Sequence, residues 1–185
     1  MKKTVWKAYM DYEKEEKWLN EMSAKGLAFT DYFFLRYLFE DCKPGEYVYR
    51  IELLDNLTSS AESRRYLDFM AENGVEHVAT WIRWVYFRKK AESGAFDIYS
   101  DIDSRIKHYK RIFALWLPLM IVELLCGVAE VLFSVNYLHG GFEIIASQNL
   151  VVGIILLCIG VAIFIHWNDV RLKIKKLKAD KQLRE

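Results

Sequence analysis

Residues 115–135 read LWLPLMIVELLCGVAEVLFSV, an almost wholly apolar run interrupted by Glu123 and Glu130. A helix that crosses the hydrocarbon core of a bilayer needs about 20 largely apolar residues, and this run supplies them. Working outward, no Lys or Arg occurs between Phe113 and Trp167, and Glu123, Glu130 and Glu143 are the acids in that interval. All 26 basic residues lie elsewhere. So sharp a division predicts a soluble part and a membrane part, with spans at about 113–135 and 148–167. RIKHYKR precedes the first span, RLKIKKLKADKQLRE follows the second, and the connecting NYLHGGFEIIASQN carries no Lys or Arg. Basic flanks stay on the cytoplasmic side, so both termini are expected inside and the loop outside. The competing reading is a soluble protein with two buried core helices, but such helices rarely run this long without a polar face.

Glu123 and Glu130 are two helical turns apart, so they project from one face with about 10.5 Å between them along the axis. Cys126, Gly127 and Ser134 fall near that face. An acid at the centre of a span costs about 2.5–3.5 kcal/mol, and each Leu, Ile, Val or Phe returns roughly 0.3–0.6. The first span is therefore marginal alone and calls for a neighbour. Gly153 and Gly160 share a face of the second span and allow a helix to approach closely. Glu123, Cys126, Gly127, Glu130, Gly153 and Gly160 are the candidate intramembrane contacts. The two acids fit three roles: polar contacts with the second span or another copy, pairing with a different membrane protein, or lining a cation path in an oligomer.

Residues 1–90 read as a separate α+β domain. TVWKAYM has the β-branched and aromatic content of a strand. DYEKEEKWLNEMSAKG reads as a helix with Asp11 as N-cap, an apolar stripe of Trp18, Leu19 and Met22, and Gly26 at the stop. The acids of EKEE suit the helix dipole and are expected to be solvated. LAFTDYFFLRYLF and EYVYRIELL flank the Pro-Gly of EDCKPGE, which predicts a hairpin. A second helix over SSAESRRYLDFMAENG and a last strand over HVATWIRWVYFRKK complete the order β-α-β-β-α-β, the signature of a ferredoxin-like fold. An irregular α+β domain is the alternative. The last strands carry large residues on both sides, so a sheet face bearing aromatics with Arg50 or Arg83 is a candidate binding surface (Tyr49, Arg50, Trp81, Arg83 and Trp84 the candidate residues), unless it is covered by residues 91–112. That segment has Ile98, Ile102, Ile106 and Tyr109 at helical spacing and predicts an amphipathic helical connector.

The strings YEKEEKWLNEMSAKGLAF, GEYVYRIEL and WVYFRKK resemble a bacterial family known as domain-of-unknown-function 2812. Trp18, Leu19, Gly26, Tyr49, Arg50, Trp84 and Phe87 are the positions that carry the likeness. The resemblance implies a small cytoplasmic domain followed by hydrophobic spans, often encoded beside winged-helix regulators of the PadR type. It implies no catalytic residue.

Searching the residues for chemistry gives little. No Gly-rich phosphate loop or nucleophile elbow occurs, and His77, His108, His139 and His166 lack metal-ligand spacing. Cys42, Cys126 and Cys158 form neither a metal motif nor an even-numbered disulfide framework. Neither catalytic residues nor a cofactor or metal are expected. A net charge of +1 gives no global field for nucleic acid. Residues 168–185 form a basic tail in which Arg171, Lys173, Lys175, Lys176 and Lys178 are candidate contacts to anionic lipid. They also serve as a topology signal. The expectation is a non-enzymatic inner-membrane protein whose cytoplasmic domain binds a ligand or regulatory partner and couples it to the membrane. Self-association or another membrane protein would engage the spans. The alternative is a small subunit of an oligomeric transporter or channel that uses Glu123 and Glu130.

Overall fold

The computed structural model describes residues 2–99 and 101–183. The chain divides into two compact units, Met1–Asp101 and Ile102–Glu185. The first is α+β and the second is a pair of long apolar helices.

The first unit runs β1 (Lys2–Trp6), α1 (Tyr12–Ala24), β2 (Leu27–Phe33), β3 (Arg36–Asp41), β4 (Tyr47–Leu53), α2 (Ala61–Glu72), β5 (Glu76–Trp81) and β6 (Trp84–Lys90). Six strands make two antiparallel three-stranded sheets, ordered β1-β3-β2 and β4-β6-β5. This differs from the single four-stranded ferredoxin-like sheet expected from sequence. LAFTDYFFLRYLF and HVATWIRWVYFRKK are each a hairpin rather than one strand. The Pro44-Gly45 turn links the two sheets and forms no hairpin, since β3 pairs with β1 and β2 while β4 pairs with β6. The true hairpin turns carry no turn residues. Phe34, Leu35 and Ile82 adopt positive φ of 35°, 66° and 58°, positions that normally select Asn, Asp or Gly.

The unit is a tandem repeat of β-α-β-β. One constant shift along the chain carries Gly26 onto Gly74, Phe34 onto Ile82 and Phe39 onto Phe87. The same shift superposes the register of both hairpins, including a bulge at Phe29/Asp31 and its equivalent at His77/Ala79. Few identities survive between the halves, Leu19/Leu67 and Met22/Met70 among them.

Local signals explain the helices. Asp11 caps α1 by accepting from the Glu13 amide, and Ser60 caps α2 by accepting from Ser63. Gly26 and Gly74 take φ of +79° and +73° at the helix ends, a conformation glycine adopts without steric cost. The main core joins both halves: Leu19, Met22, Phe29, Tyr37 and Phe39 from the first, Tyr49, Ile51, Ala79 and Tyr86 from the second. A smaller cluster of Leu54, Met70, Val75, Val85, Phe87 and Phe96 lies with α2.

The exposed edge of β4 is closed by α1. Asn20 donates to the Tyr49 carbonyl and accepts from the Tyr49 amide. Ser23 bonds both the amide and carbonyl of Tyr47, and Glu16 Oε2 accepts from the Ile51 amide. Positions 16, 20 and 23 share one helix face, so their side chains stand in for a neighbouring strand. An unpaired sheet edge is a template for aggregation, and this polar stripe removes it.

Ile82 is β-branched, exposed and held in the left-handed region, which costs about 1–2 kcal/mol. Replacing it by Asn should therefore stabilise the first unit by about 1 kcal/mol, read as a rise in the midpoint of urea unfolding. A fall would show that the Ile82 side chain holds the turn.

In the second unit, α3 (Ile102–His139) and α4 (Glu143–Gln182) form an antiparallel hairpin around a Gly140-Gly141 turn. With 38 and 40 residues they are about 57 and 60 Å long. The expected connector over 91–112 is not one helix. Ala91–Ser93 is a single 3-10 turn, Ile98 packs with the smaller core cluster, and the helix begins at Ile102. The basic tail continues α4 without a break as far as Gln182. A seam of small and apolar residues, spaced mostly by seven, joins the helices, with Gly127 and Ser134 from α3 and Ala146, Gly153, Gly160, Ile163 and Val170 from α4 buried in it. This is the spacing of a coiled-coil interface.

Candidate functional site

Three features of the molecule have chemical potential: a buried carboxylate in the first unit, the aromatic hairpin tips near it, and the acids of α3.

Glu15 lies on the buried stripe of α1 with Leu19 and Met22, and only 8% of it is exposed. The phenols of Tyr37 on β3 and Tyr86 on β6 each donate to its Oε1 at 2.7 Å. The bond therefore ties α1 to the central strand of each sheet. Among the described residues, Oε2 accepts no hydrogen bond. Burial raises the Glu15 pKa, and the two phenols partly offset it. Burial and the adjacent carboxylate push both phenols well above the ordinary tyrosine range. The expectation that the EKEE acids are merely solvated is thus corrected for two of them. Glu15 is core, and Glu16 pairs with Arg50 at 3.4 Å while its pKa is pushed up to about 7 by burial, against the pull of Arg50. The missed signal was the spacing: Glu15 falls on the same stripe as Leu19 and Met22.

Aromatic rings pack against the two phenols that bond this carboxylate. Tyr32 lies 5.2 Å from Tyr86 and 4.7 Å from Tyr37 between ring centroids. Tyr12, one turn before Glu15, meets Trp84 at 5.9 Å, and Trp18 contacts Tyr37 edge-on at 4.9 Å. Lys7 places its ammonium 4.9 Å from the Tyr9 ring and 4.8 Å from the Trp18 ring.

β2 and β5 run side by side, which brings the hairpin tips together. Phe33 and Phe34 reach Trp81 at 5.4 and 6.0 Å. Phe33, Phe34 and Ile82 are nonetheless 60%, 59% and 64% exposed.

Of the residues expected on an open sheet face, Trp81 and Trp84 are half-buried within these aromatic groups. Tyr49 is corrected to core: it is wholly buried, and its hydroxyl bonds the amide and carbonyl of Phe29. Arg50 is held by Glu16 and lies 5.8 Å from the Phe96 ring, and Arg83 donates to the Leu54 carbonyl. Sequence reading singled out neither Glu15 nor Tyr37, Tyr86, Phe33, Phe34 or Ile82 as site residues.

Within the helical hairpin, Gly127, Gly153 and Gly160 sit at the α3–α4 seam. A Cβ on Gly153 would meet Val131 Cγ2 at 2.9 Å and the Gly127 carbonyl at 3.0 Å, and one on Gly160 would meet Leu124 at 2.7 Å. The Glu130 Cβ lies 3.1 Å from that same point at Gly153. Glu123 and Glu130 are half-buried and make no hydrogen bond or ion pair with the described residues. Cys126 and Cys158 are exposed. Ser134 donates to the Ala146 carbonyl at 2.6 Å, joining the helices directly. At the far end Lys181 pairs with Asp103 at 2.9 Å, and Lys173 lies 5.7 Å from the Tyr109 ring. Arg171, Lys175, Lys176 and Lys178 are exposed. The tail is therefore paired with the start of α3 at Lys173 and Lys181, while its other basic residues face outward.

Both helices are long and apolar enough to cross a membrane, and only 17% of the most apolar window of each is buried. Among the described residues, no group of three or more His, Cys, Asp or Glu side chains could hold a metal ion. A family model described as "Protein of unknown function (DUF2812)" matches residues 11–121. The chain matches no curated protein and no solved structure.

Proposed function

We propose, from the premise that the chain belongs to the DUF2812 family, that it is a non-enzymatic, membrane-anchored binding module of the bacterial inner membrane. The N-terminal unit lies in the cytoplasm and engages a regulatory partner. The helical hairpin anchors it with both termini inside. The carrying observation is the aromatic hairpin tips: Phe33, Phe34 and Ile82 present bulky apolar side chains to solvent from backbone turns that disfavour them. Local strain retained at an exposed apolar surface is a mark of functional sites. The membrane reading is supported by the outward faces of α3 and α4, where Leu125, Leu132, Val151 and Ile155 are all exposed. Such surface needs lipid or another helix to cover it. The paired helices outrun a hydrocarbon core of about 30 Å, so their basic ends extend into the cytoplasm beside anionic headgroups.

The test is co-purification of the full chain in mild detergent, with mass measurement of what remains bound. The wild type should retain a partner that Phe33→Ser/Phe34→Ser loses, and the same retained set from both would overturn this reading. Reporters fused after Gly141 and after Glu185 should report opposite sides of the membrane.

A second reading is supported by one observation: Glu123 and Glu130 have no partner within the described chain. In an oligomer they would line a cation path. Glu123→Gln and Glu130→Gln should then abolish flux in liposomes, and an absence of flux from the intact protein removes this alternative.

A further inference from the structure

We propose that the outer face and free edge of the sheet β1-β3-β2 dock an acidic amphipathic helix of a protein partner. The inference rests on the reading of the N-terminal unit as a partner-binding module, and it names the surface bound and the chemistry of what binds it.

The tandem repeat identifies the surface. Lys7 donates to the Leu35 carbonyl at 2.9 Å and Leu54 to the Arg83 carbonyl at 2.9 Å, so the two ladders end alike. In that shared register Lys2, Thr4 and Trp6 of β1 take the places of Tyr49, Ile51 and Leu53 of β4, and Leu38 and Arg36 those of Tyr86 and Trp84. In the second sheet α1 covers these residues. Ile51 and Tyr86 share the main core with Leu19, Tyr12 meets Trp84, and Asn20 and Glu16 bond the edge at Tyr49 and Ile51. Their counterparts in the first sheet have no such cover: Trp6 is 68% exposed, and Lys2 and Thr4 are exposed as well. The Lys7 bond turns odd-numbered main-chain groups of β1 toward β3, so those of Thr4 and Trp6 point away from it. Among the described residues, no side chain bonds them. The first sheet thus leaves open the surface that the chain fills with a helix in the second, and an open edge of this kind is a pairing surface.

The side chains on that surface select the helix. Arg36 stands where Trp84 receives Tyr12, and its Nε is buried without a hydrogen-bond partner. An acid at the place of Tyr12 would satisfy it. Leu38 replaces Tyr86, so the place of Glu15 calls for an apolar residue. The Thr4 amide, like that of Ile51, needs an acceptor at the place of Glu16, and Lys3, in the position of Arg50, favours an acid there. The Lys2 main chain matches a side-chain amide at the place of Asn20, which both donates and accepts. A second copy of this chain supplies the wrong helix. In α2, Arg64 and Asp68 hold the places of Glu16 and Asn20, and Arg64 would bring a cation to Lys3.

The test uses the full-length protein in detergent micelles and a fluorescein-labelled, stapled helix of about 15 residues. The helix carries Glu at the places of Tyr12 and Glu16, Leu at that of Glu15 and Asn at that of Asn20. Anisotropy should show saturable binding, and a control helix with Lys for both Glu should bind about tenfold more weakly or worse. Thr4→Pro removes an amide that points away from the sheet, a place where an edge strand accepts proline. It should weaken binding about tenfold and leave the midpoint of urea unfolding little changed. Arg36→Gln, on the same face, should weaken binding about tenfold and covers the case in which the proline variant fails to fold. No saturable binding, equal binding of the control helix, or unchanged affinity in the folded variants would each overturn the proposal. A dimer of the full chain that Trp6→Ser dissociates would also overturn it, by making a second copy the occupant. Partner retention that depends on Phe33 and Phe34 without helix binding overturns this inference alone. Helix binding without a retained partner overturns only the partner reading.

Discussion

Glu15→Leu should destabilise the N-terminal unit by about 3 kcal/mol. The change removes the shared acceptor of Tyr37 and Tyr86, whose bonds to Glu15 Oε1 are both buried. Each hydroxyl left without a partner in the core costs about 1–3 kcal/mol, and the apolar leucine returns part of that sum. The sign reverses when the donors leave as well. Glu15→Leu combined with Tyr37→Phe and Tyr86→Phe should recover most of the loss, because an apolar cluster of similar shape has nothing left to satisfy. Urea unfolding of the wild type, Glu15→Leu, the Tyr37→Phe/Tyr86→Phe pair and the triple variant, followed by near-ultraviolet circular dichroism, reads the coupling directly. Additive losses, with the triple variant the least stable, would show that the three residues do not act as one network.

The second large effect concerns the helical hairpin. Gly153→Ile places a branched side chain where a single added carbon already meets Val131 Cγ2 at 2.9 Å and the Gly127 carbonyl at 3.0 Å. One of those neighbours is backbone, so the strain cannot be relieved by a rotamer change. Overpacking of this kind costs about 1–3 kcal/mol when the structure can adapt, and here adaptation means moving the helices apart. The buried Ser134–Ala146 bond, at 2.6 Å, would be stretched with them. Spin labels at the exposed positions Leu132 and Val151, in a cysteine-free background, should report a longer or broader interhelical distance in the variant. An unchanged distribution would mean that the seam is held elsewhere, for instance by Phe113 on Trp167 at 4.7 Å.

The parts of this fold that were legible in sequence are those with local chemical markers. Asp11 and Ser60 announce helix starts, Gly26 and Gly74 announce helix ends, and the apolar runs announce α3 and α4 by length alone. The hairpins were hidden because their turns are built from Phe34, Leu35 and Ile82, residues that read as strand. With both hairpins read as single strands, six strands became four and a ferredoxin-like sheet followed. The duplication was obscured in turn, because the two halves share hairpin register but few residues.

The candidate site was less legible still, since its members come from three distant elements. Tyr37 and Tyr86 meet Glu15 across 22 and 71 positions of chain, and no spacing rule links them. Glu15 itself looked like an ordinary first-turn acid suited to the helix dipole. Only its place on the stripe with Leu19 and Met22 marked it as different. Within the helices, by contrast, the seven-residue spacing of Gly153 and Gly160 was readable at once, because it is a property of one segment.

The tandem β-α-β-β arrangement has a quantitative consequence. The shift that relates the halves carries Glu15 onto Ser63 and Tyr37 onto Val85, while Tyr86 falls on Leu38. A dimer of identical β-α-β-β subunits would build two equivalent sites, and both would change with every mutation. Joined in one polypeptide, the halves differ at these positions, so one supplies the carboxylate and the other a hydroxyl-bearing side chain in its place. The carboxylate–phenol network therefore occurs once per chain, and a substitution at Glu15 should leave the contacts of its equivalent, Ser63 with Ser60, in place.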